Sequence, residues 1–226
     1  MIAYGICIGT EAKYDTVAKP SLELYAPTST VFERRDQSSI FKAYNSILDE
    51  ARRANVQGLV LMHEDVELLE PIEGVLIREF ADPTVAIVGA IGGKGVRSVR
   101  WSKSAERFGR APDTFHGAND LGGGSHDVDL VDGLLLALSP WAIHNLRFDE
   151  ARFRGFHAYD ADICMQARQE GKRVRTTDLN LLHHTKGGFG NLRAHHVADD
   201  KFRRKWGIPL DSWKYRHDSR RNNQPY

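Results

Sequence analysis

Three short stretches of this 226-residue chain, at 2–8, 59–62 and 84–90, are nearly unbroken in apolar character, and helical patterns lie between them. A strand that meets solvent on one face alternates polar and apolar side chains, so a run without polar partners has to be covered on both faces. Such strands belong to a mostly parallel sheet sandwiched between helices, and the chain is read as α/β with a doubly wound pattern up to residue 90. The clearest helix opens at Ser38 or Ser39, where Ile40, Phe41, Tyr44, Ile47, Leu48 and Ala51 recur at helical spacing before Asn55 and Gly58 stop it. Pro71 opens another, with Ile72, Val75, Leu76 and Phe80 on one face. Residues 22–25 read as a second, short extended piece that stops at Pro27.

Beyond residue 90 the pattern changes. Residues 91–127 carry Gly92, Gly93, Gly95, Gly117, Gly122, Gly123 and Gly124 around a single Trp101, show no sustained period, and read as a long functional loop or a small hairpin. Strand character returns at 128–138, Ser139 and Pro140 start a short helix, and 160–170 forms a longer one ended by Gly171. Two extended runs, 173–176 and 180–184, are expected to close the sheet, and Ala194, Ala198, Phe202 and Trp206 mark a final amphipathic helix. No linker-like tract or internal repeat divides the chain, which points to one domain.

Composition removes several classes of function. Cys7 and Cys164 are the only cysteines, too few for a disulfide framework or a thiolate zinc site, so a reducing, cytoplasmic compartment is expected. No apolar run approaches the about 18 residues of a membrane span, and residues 1–9 lack the basic leader of a signal peptide. The net charge is +1, yet residues 201–226 hold eight Lys/Arg against Asp211 and Asp218. A near-neutral body without a recognisable motif argues against nucleic acid as a partner. The basic tail, 207–226, is expected to contribute little to folding and to dock an anionic or membrane-associated acceptor; a homo-oligomer or a peripheral membrane contact through it stays open.

Four clusters can carry chemistry. His63-Glu64-Asp65 stands where the run 59–62 ends, and in open α/β sheets ligands bind beyond the carboxyl ends of the strands. Alternation turns His63 and Asp65 to one side and Glu64 to the other, although polar residues merely leaving a strand would read the same way. His183-His184 ends another apolar run, and at most one of the two can reach a site shared with Asp65. An imidazole and a carboxylate suit a divalent ion that takes phosphate oxygens and water as its other ligands, magnesium or manganese above all. Gly187 and Gly188, close behind, would let backbone amides approach those phosphates; a surface turn with two hydrogen-bonded histidines is the plainer alternative. In residues 155–163 two carboxylates fall in the first turn of a helix, where the helix dipole alone would account for them. Asp160 shares its face with Ile163, Cys164 and Ala167 and so points inward, whereas Asp162 lies with Met165, Gln166 and Gln169 and is expected to meet solvent or a loop. Asp132-Gly133 is the fourth, a carboxylate that binds a sugar hydroxyl or marks a bulge.

Taken in order, Ala43-Tyr44-Asn45, Leu61-Met62-His63-Glu64-Asp65-Val66, Val131-Asp132-Gly133, Phe148-Asp149-Glu150, residues 155–164, Gly171-Lys172-Arg173-Val174 and residues 183–188 resemble a GT-A glycosyltransferase of family 2, most closely its compact bacterial branch. The resemblance spans residues 2 to about 190. It implies a single GT-A domain over 1–206 with a mostly parallel mixed sheet flanked by helices, 1–90 being the nucleotide-binding half and 91–206 the acceptor half. It implies transfer of a sugar from a nucleotide-diphosphate sugar to the hydroxyl of a saccharide, a lipid-linked acceptor or a small molecule, with inversion and with Mn2+ or Mg2+ as cofactor. Asp65 matches the last residue of the Asp-x-Asp-type metal motif, with Glu64 beside it in the cofactor site, and His183 or His184 matches the histidine that completes the metal site. Asp160 matches the acid of the Glu-Asp motif, the usual catalytic base, with Asp162 as its alternative. Asp132, Gly133, Trp101 and His157 are carried as substrate-binding residues. The chain departs from the pattern twice: His63 stands where the common motif has its first Asp, and Tyr159 where the Glu of Glu-Asp is usual.

The inventory fits that chemistry. A glycosidase needs a second carboxylic acid to protonate its leaving oxygen, whereas a nucleotide diphosphate leaves as an anion that a divalent ion stabilises. Two rivals stand beside it. A nucleotidyltransferase or metal-assisted hydrolase on a similar sheet calls for a glycine and Lys/Arg fingerprint after the first strand, and Ile8-Gly9-Thr10-Glu11 offers none. A nucleotide-sugar-binding module without turnover is compatible with the departures at His63 and Tyr159.

Overall fold

The N-terminal apolar run forms β1 (Ile2–Ile8), buried along its whole length in a computed structural model that describes residues 1–187 and 190–210. The chain leaves β1 through one helical stretch made of α1 (Glu11–Lys13), a π-helical segment at Tyr14–Ala18 and α2 (Lys19–Tyr25). Residues 22–25 are therefore helical, not extended. The reason is a period of four: Tyr14, Ala18 and Leu22 fall on one face and are all buried. The second strand lies further on, at β2 (Val31–Arg35), parallel to β1.

α3 (Ile40–Arg53) covers the sheet as its spacing requires, with Ile40, Phe41, Tyr44, Ile47, Leu48 and Ala51 all buried. Asn45, buried on the same helix, donates to the Phe148 carbonyl and accepts from the Phe148 N–H, both at 2.9 Å. That pair of bonds satisfies a buried amide and ties α3 to the loop around Phe148.

Next come β3 (Gly58–Met62), β4 (Val66–Leu68), α4 (Glu73–Phe80) and β5 (Val85–Gly89). Within residues 91–127 the hairpin alternative holds: β6 (Ile91–Lys94) pairs antiparallel with β7 (Glu106–Gly109) around a 3-10 turn at Trp101–Lys103, and β8 (His126–Val128) begins at the end of the segment. The strand expected over 128–138 is broken at residues 132–134 into β9 (Leu130–Val131) and β10 (Leu135–Leu138), which belong to different sheets. α5 (Pro140–Asn145), α6 (Tyr159–Gln169), β11 (Arg173–Thr176), β12 (Leu181–His183) and α7 (Leu192–Trp206) complete the order.

The main sheet has seven strands in the order β2-β1-β3-β10-β5-β11-β8. β2, β1, β3, β5 and β11 run one way and β10 and β8 run against them, so the sheet is mixed and mostly parallel. Leu59 and Leu61 of β3 pack on one face with residues of α3, α5, α6 and α7, while Val60 and Met62 pack on the other with Tyr14, Leu22 and Leu76. Each such buried side chain contributes ~1.5–3 kcal/mol relative to exposure, which is why the central strands carry no polar residue.

β12 does not close the main sheet. It pairs antiparallel with β4 in a separate ribbon, His183 opposite Val66, because its neighbours in space are the residues that follow β3. The basic C-terminal region is also less free than its charge implies. Lys201, Arg203, Arg204 and Lys205 lie on α7, where Arg203 meets the fully buried Asp199 at 2.9 Å and Lys205 meets Asp149 at 2.8 Å and Asp162 at 2.9 Å. The rest of the tail, 211–226, lies outside the described residues, and so does its expected docking role. Among the described residues, no helix is long and apolar enough to cross a membrane.

Candidate active site beyond the ends of β3 and β12

His63-Glu64-Asp65 make the turn from β3 into β4, and alternation acts on them as expected. His63 Nδ1 and Asp65 Oδ1 lie 3.9 Å apart on one side. Glu64 turns back toward the end of β1, where a Cβ on Gly9 would sit 3.4 Å from its Oε1, and burial raises its carboxyl above the usual range. From the ribbon partner, β12, His183 brings its Nε2 to 3.3 Å from Asp65 Oδ1. His183 is gripped on both edges: it pairs with Val66, and its own N–H and carbonyl bond Pro112 and Thr114, each at 3.0 Å. The loop supplying Pro112 and Thr114 is closed by the buried Asp113 carboxylate, which accepts from the Phe115 and His116 backbone N–H groups and from the Asn119 amide.

His63, Asp65 and His183 therefore offer two imidazole nitrogens and one carboxylate oxygen within 4.8 Å of one another, with Asp65 only 8% exposed. His184 does not join them. Its backbone N–H donates to the Asp65 carbonyl, but the ring points the other way, to Glu67 Oε2 at 2.7 Å, because adjacent strand residues face opposite sides. The third member of the group is His63, which the sequence sets on the same side as Asp65 and marks only as a departure from the metal motif, not as a ligand.

A cation already sits beside this group. Lys13 places its Nζ 2.6 Å from Asp65 Oδ2, at the point where the helix after β1 widens into its π-helical segment. Nothing in the spacing of two residues 52 apart signals this contact. Burial by itself would raise the Asp65 carboxyl, but hydrogen bonds from His183 and Lys13 and the nearby His63 hold it well below the ordinary carboxylate range. Burial lowers His63; for His183 burial is outweighed by the bond to Asp65 and by Asp132 and Asp113, and its pKa is raised.

The second half of the site begins at α6. Ala158 enters it at φ 73°, a left-handed backbone that side-chain-bearing residues rarely adopt, and the turn sends Tyr159 into the core and Asp160 toward the β9–β10 break. Tyr159 meets Tyr44 and Phe41 edge-on, with ring centroids 5.6 and 6.5 Å away. Asp160 Oδ2 accepts the Gly133 N–H at 3.1 Å. Burial, and then the charge of Asp132, push the Asp160 carboxyl up from 3.8 to about 7. Asp132 is itself held by the Trp101 indole N–H and by the Leu134 N–H at 2.9 Å. Trp101, Asp132 and Gly133 thus gather around Asp160 at the break between β9 and β10.

The two halves are contiguous. His63 Nε2 lies 2.6 Å from Tyr159 Oη, and Tyr159 donates its own proton to the Gly133 carbonyl at 2.9 Å. A Cβ on Gly133 would fall 2.2 Å from Tyr159 Oη, so only glycine allows that approach.

Three other expected site residues are placed elsewhere. Asp162 is 1% exposed and accepts from Lys205 at 2.9 Å, Trp206 Nε1 at 2.9 Å and Gln166 at 2.8 Å. Its helix face meets α7 rather than solvent, and its carboxylate is committed to these three structural bonds. His157 packs its ring 5.3 Å from that of His195 on α7. Gly187 spends its N–H on Thr185 Oγ1 at 3.0 Å, and at φ 75° its Cα abuts the Phe115 ring, so that amide is not presented to a ligand. Gly188 lies outside the described residues.

Comparison with known proteins follows the same geometry. Residues 3–196 match the family described as "Glycosyltransferase like family". The streptomycin biosynthesis protein StrF of Streptomyces griseus is 36% identical over 198 residues, which cover 85% of this chain and 70% of that protein. A protein described as "ATP synthase subunits region ORF 6", of Fuscovulum blasticum, is 24% identical over 214 residues, 90% of this chain and 80% of its own length. Among solved structures, A197 from STIV superposes with a TM-score of 0.54 at 11% identity, covering 82% of this chain and 86% of that one. GalNAc-T7 with UDP, GalNAc and Mn2+ superposes with a TM-score of 0.50 at 11% identity, over 84% of this chain and 44% of that one. At that identity the two structures speak to the fold.

Proposed function

The chain belongs to the glycosyltransferase-like family, a transferase on the GT-A fold, and on that premise we propose that it moves a sugar from a nucleotide-diphosphate donor to an acceptor hydroxyl with inversion. The observation that carries the reading is the contact between two unlike groups, the ligand set His63-Asp65-His183 and the half-buried Asp160, through Tyr159 and Gly133. GalNAc-T7, which shares the fold, holds UDP, GalNAc and Mn2+, and this supports the donor class and a divalent ion.

The donor set fits such an ion. Two imidazoles and one carboxylate leave positions for phosphate oxygens, and imidazole nitrogen suits Mn2+ better than Mg2+, which takes oxygen ligands. When bound there, the ion supplies positive charge to the departing diphosphate. Lys13 neutralises Asp65 and is placed to turn its ammonium to the phosphates. Asp160 takes the proton of the acceptor hydroxyl; a carboxyl displaced to about 7 is matched to that work near neutral pH. Asp132, oriented by Trp101 and the Leu134 N–H, keeps lone pairs for a sugar hydroxyl. No second acid is required, since the leaving group departs as an anion.

A thermal-shift panel of nucleoside diphosphates and nucleotide sugars, each with Mn2+ and with chelator, tests the reading. Ligand that binds the native state raises its stability, so a shift is expected only with the ion, and Asp65→Ala is expected to remove the difference. Equal shifts in chelator would rule out the metal. Metal-dependent binding with no transfer to any acceptor would instead indicate a binding module without turnover.

A further inference from the structure

His63 and Tyr159, the two departures from the pattern that the chain resembles, are 96 residues apart in sequence and 2.6 Å apart in space. One proton arrangement satisfies both the His63 contact and the Gly133 carbonyl. A tyrosine hydroxyl carries a single proton, and near neutral pH it keeps it. That proton faces the Gly133 carbonyl at 2.9 Å, an oxygen that can only accept. The hydroxyl's remaining capacity toward His63 is therefore as acceptor, so the hydrogen between the two residues belongs to His63 Nε2. In a neutral imidazole, one nitrogen carries the proton and the other a lone pair. The lone pair is then on Nδ1, the nitrogen 3.9 Å from Asp65 Oδ1.

Resting on the metal site proposed above, we infer that Tyr159 is a positioning residue for it: its hydroxyl holds His63 as the Nε2–H tautomer, so that the bare Nδ1 faces Asp65 and His183. The hydroxyl is rigid enough to do so. Tyr159 is buried, wedged edge-on between Tyr44 and Phe41, and its Oη reaches the backbone only because residue 133 is glycine. The same Gly133 presents its N–H to Asp160, so one residue anchors both the histidine support and the base. A histidine in the first position of the metal motif and a tyrosine before Asp160 thus form one device. An aspartate ligand needs no tautomer set, whereas a histidine ligand does, and hydrogen-bonded support behind a ligating imidazole is worth about 10- to 100-fold in metal affinity.

Long-range proton–nitrogen NMR of the 15N-labelled full chain without metal reads the tautomer directly. His63 is expected to carry its proton on Nε2, and a proton on Nδ1 would overturn the inference. Mn2+ binding, measured by electron paramagnetic resonance with no nucleotide, supplies the second readout. Tyr159→Phe, which keeps the ring and its packing, is expected to weaken Mn2+ by about 10- to 100-fold. In a His63→Ala background the same substitution is expected to change affinity by no more than a factor of about two, since no ring is left to hold. Loss in both backgrounds would make Tyr159 a structural residue only. Equal affinity in wild type and Tyr159→Phe would refute its positioning role and leave the metal site standing. Absence of Mn2+ binding by wild type would refute the metal site instead, and the Tyr159–His63 link is then decided by NMR: Tyr159→Phe must relax the Nε2–H preference, and an unchanged spectrum overturns it.

Discussion

Asp160→Asn is expected to make the protein more stable and nearly inactive at once, and the stability gain has a pH signature. In the folded chain, burial and the neighbouring Asp132 raise the Asp160 carboxyl from 3.8 to about 7. Between those values the folded state holds a proton that the unfolded state has released, so the native state binds more protons and stability falls as pH rises through that window. A displacement of roughly three pH units at about 1.4 kcal/mol each sets a ceiling of ~4 kcal/mol. Asp160 keeps part of its surface open, and solvent screening halves that to ~2 kcal/mol. Asparagine cannot ionise, and its Oδ1 still accepts the Gly133 N–H. Urea unfolding without divalent ion, at half-unit steps from pH 3 to 8.5, should show Asp160→Asn matching wild type at the acid end, gaining as pH rises from about 4, and holding its full gain of ~2 kcal/mol by about pH 7. That gain corresponds to a Tm rise of about 4–8 °C for a chain of this length. Transfer should fall by about 100- to 10,000-fold over the same range. A variant that is destabilised at pH 8, or whose gain does not vary with pH, would refute the account of a half-buried carboxyl held near neutrality beside Asp132.

Other expectations follow from neighbouring contacts. Wild-type transfer should rise with pH through about 7 as Asp160 ionises, and Asp132→Asn, by removing the adjacent charge, should move the rising limb of the pH–rate profile to lower pH. Lys13→Met removes the ammonium that shares Asp65, so Mn2+ measured alone should bind up to about tenfold more tightly, while a nucleoside diphosphate measured with Mn2+ should bind more weakly. Asp162→Ala leaves Lys205 and the half-buried Trp206 N–H without their shared, fully buried acceptor and should cost ~3 kcal/mol in urea unfolding, with little change in transfer per folded molecule. If Asp162→Ala cut transfer as deeply as Asp160→Asn, the division between clamp and base would be wrong.

Much of the framework can be read from local pattern alone. The apolar runs of β1, β3 and β5 specify strands covered on both faces, and the spacing of Ile40, Phe41, Tyr44, Ile47, Leu48 and Ala51 specifies both α3 and the face it buries. Alternation put His63 and Asp65 on one side of their strand, and the helical period put Asp160 and Asp162 on different faces of α6. These are statements about one element at a time, where backbone geometry repeats over two or 3.6 residues and side-chain direction follows. Sequence reading erred at 22–25 for a related reason: four apolar-rich residues look alike in a strand or a helix until the Tyr14-Ala18-Leu22 period is counted.

What a face meets is a different question, and only the tertiary structure answers it. Periodicity allows either His183 or His184 to look toward Asp65; the pairing of β12 with β4, rather than with the main sheet, selects His183. Asp162 lies on a polar face that reads as solvent-exposed until α7 closes over it. Lys13 reaches Asp65 because the helix after β1 widens beside the end of β3, and Tyr159 reaches His63 because β9 and β10 part at a glycine. Each of these contacts joins segments far apart in the chain. It depends on strand order, register and the close approach of backbones, and those are set by how all the buried surfaces fit together, so no window of neighbouring residues contains them.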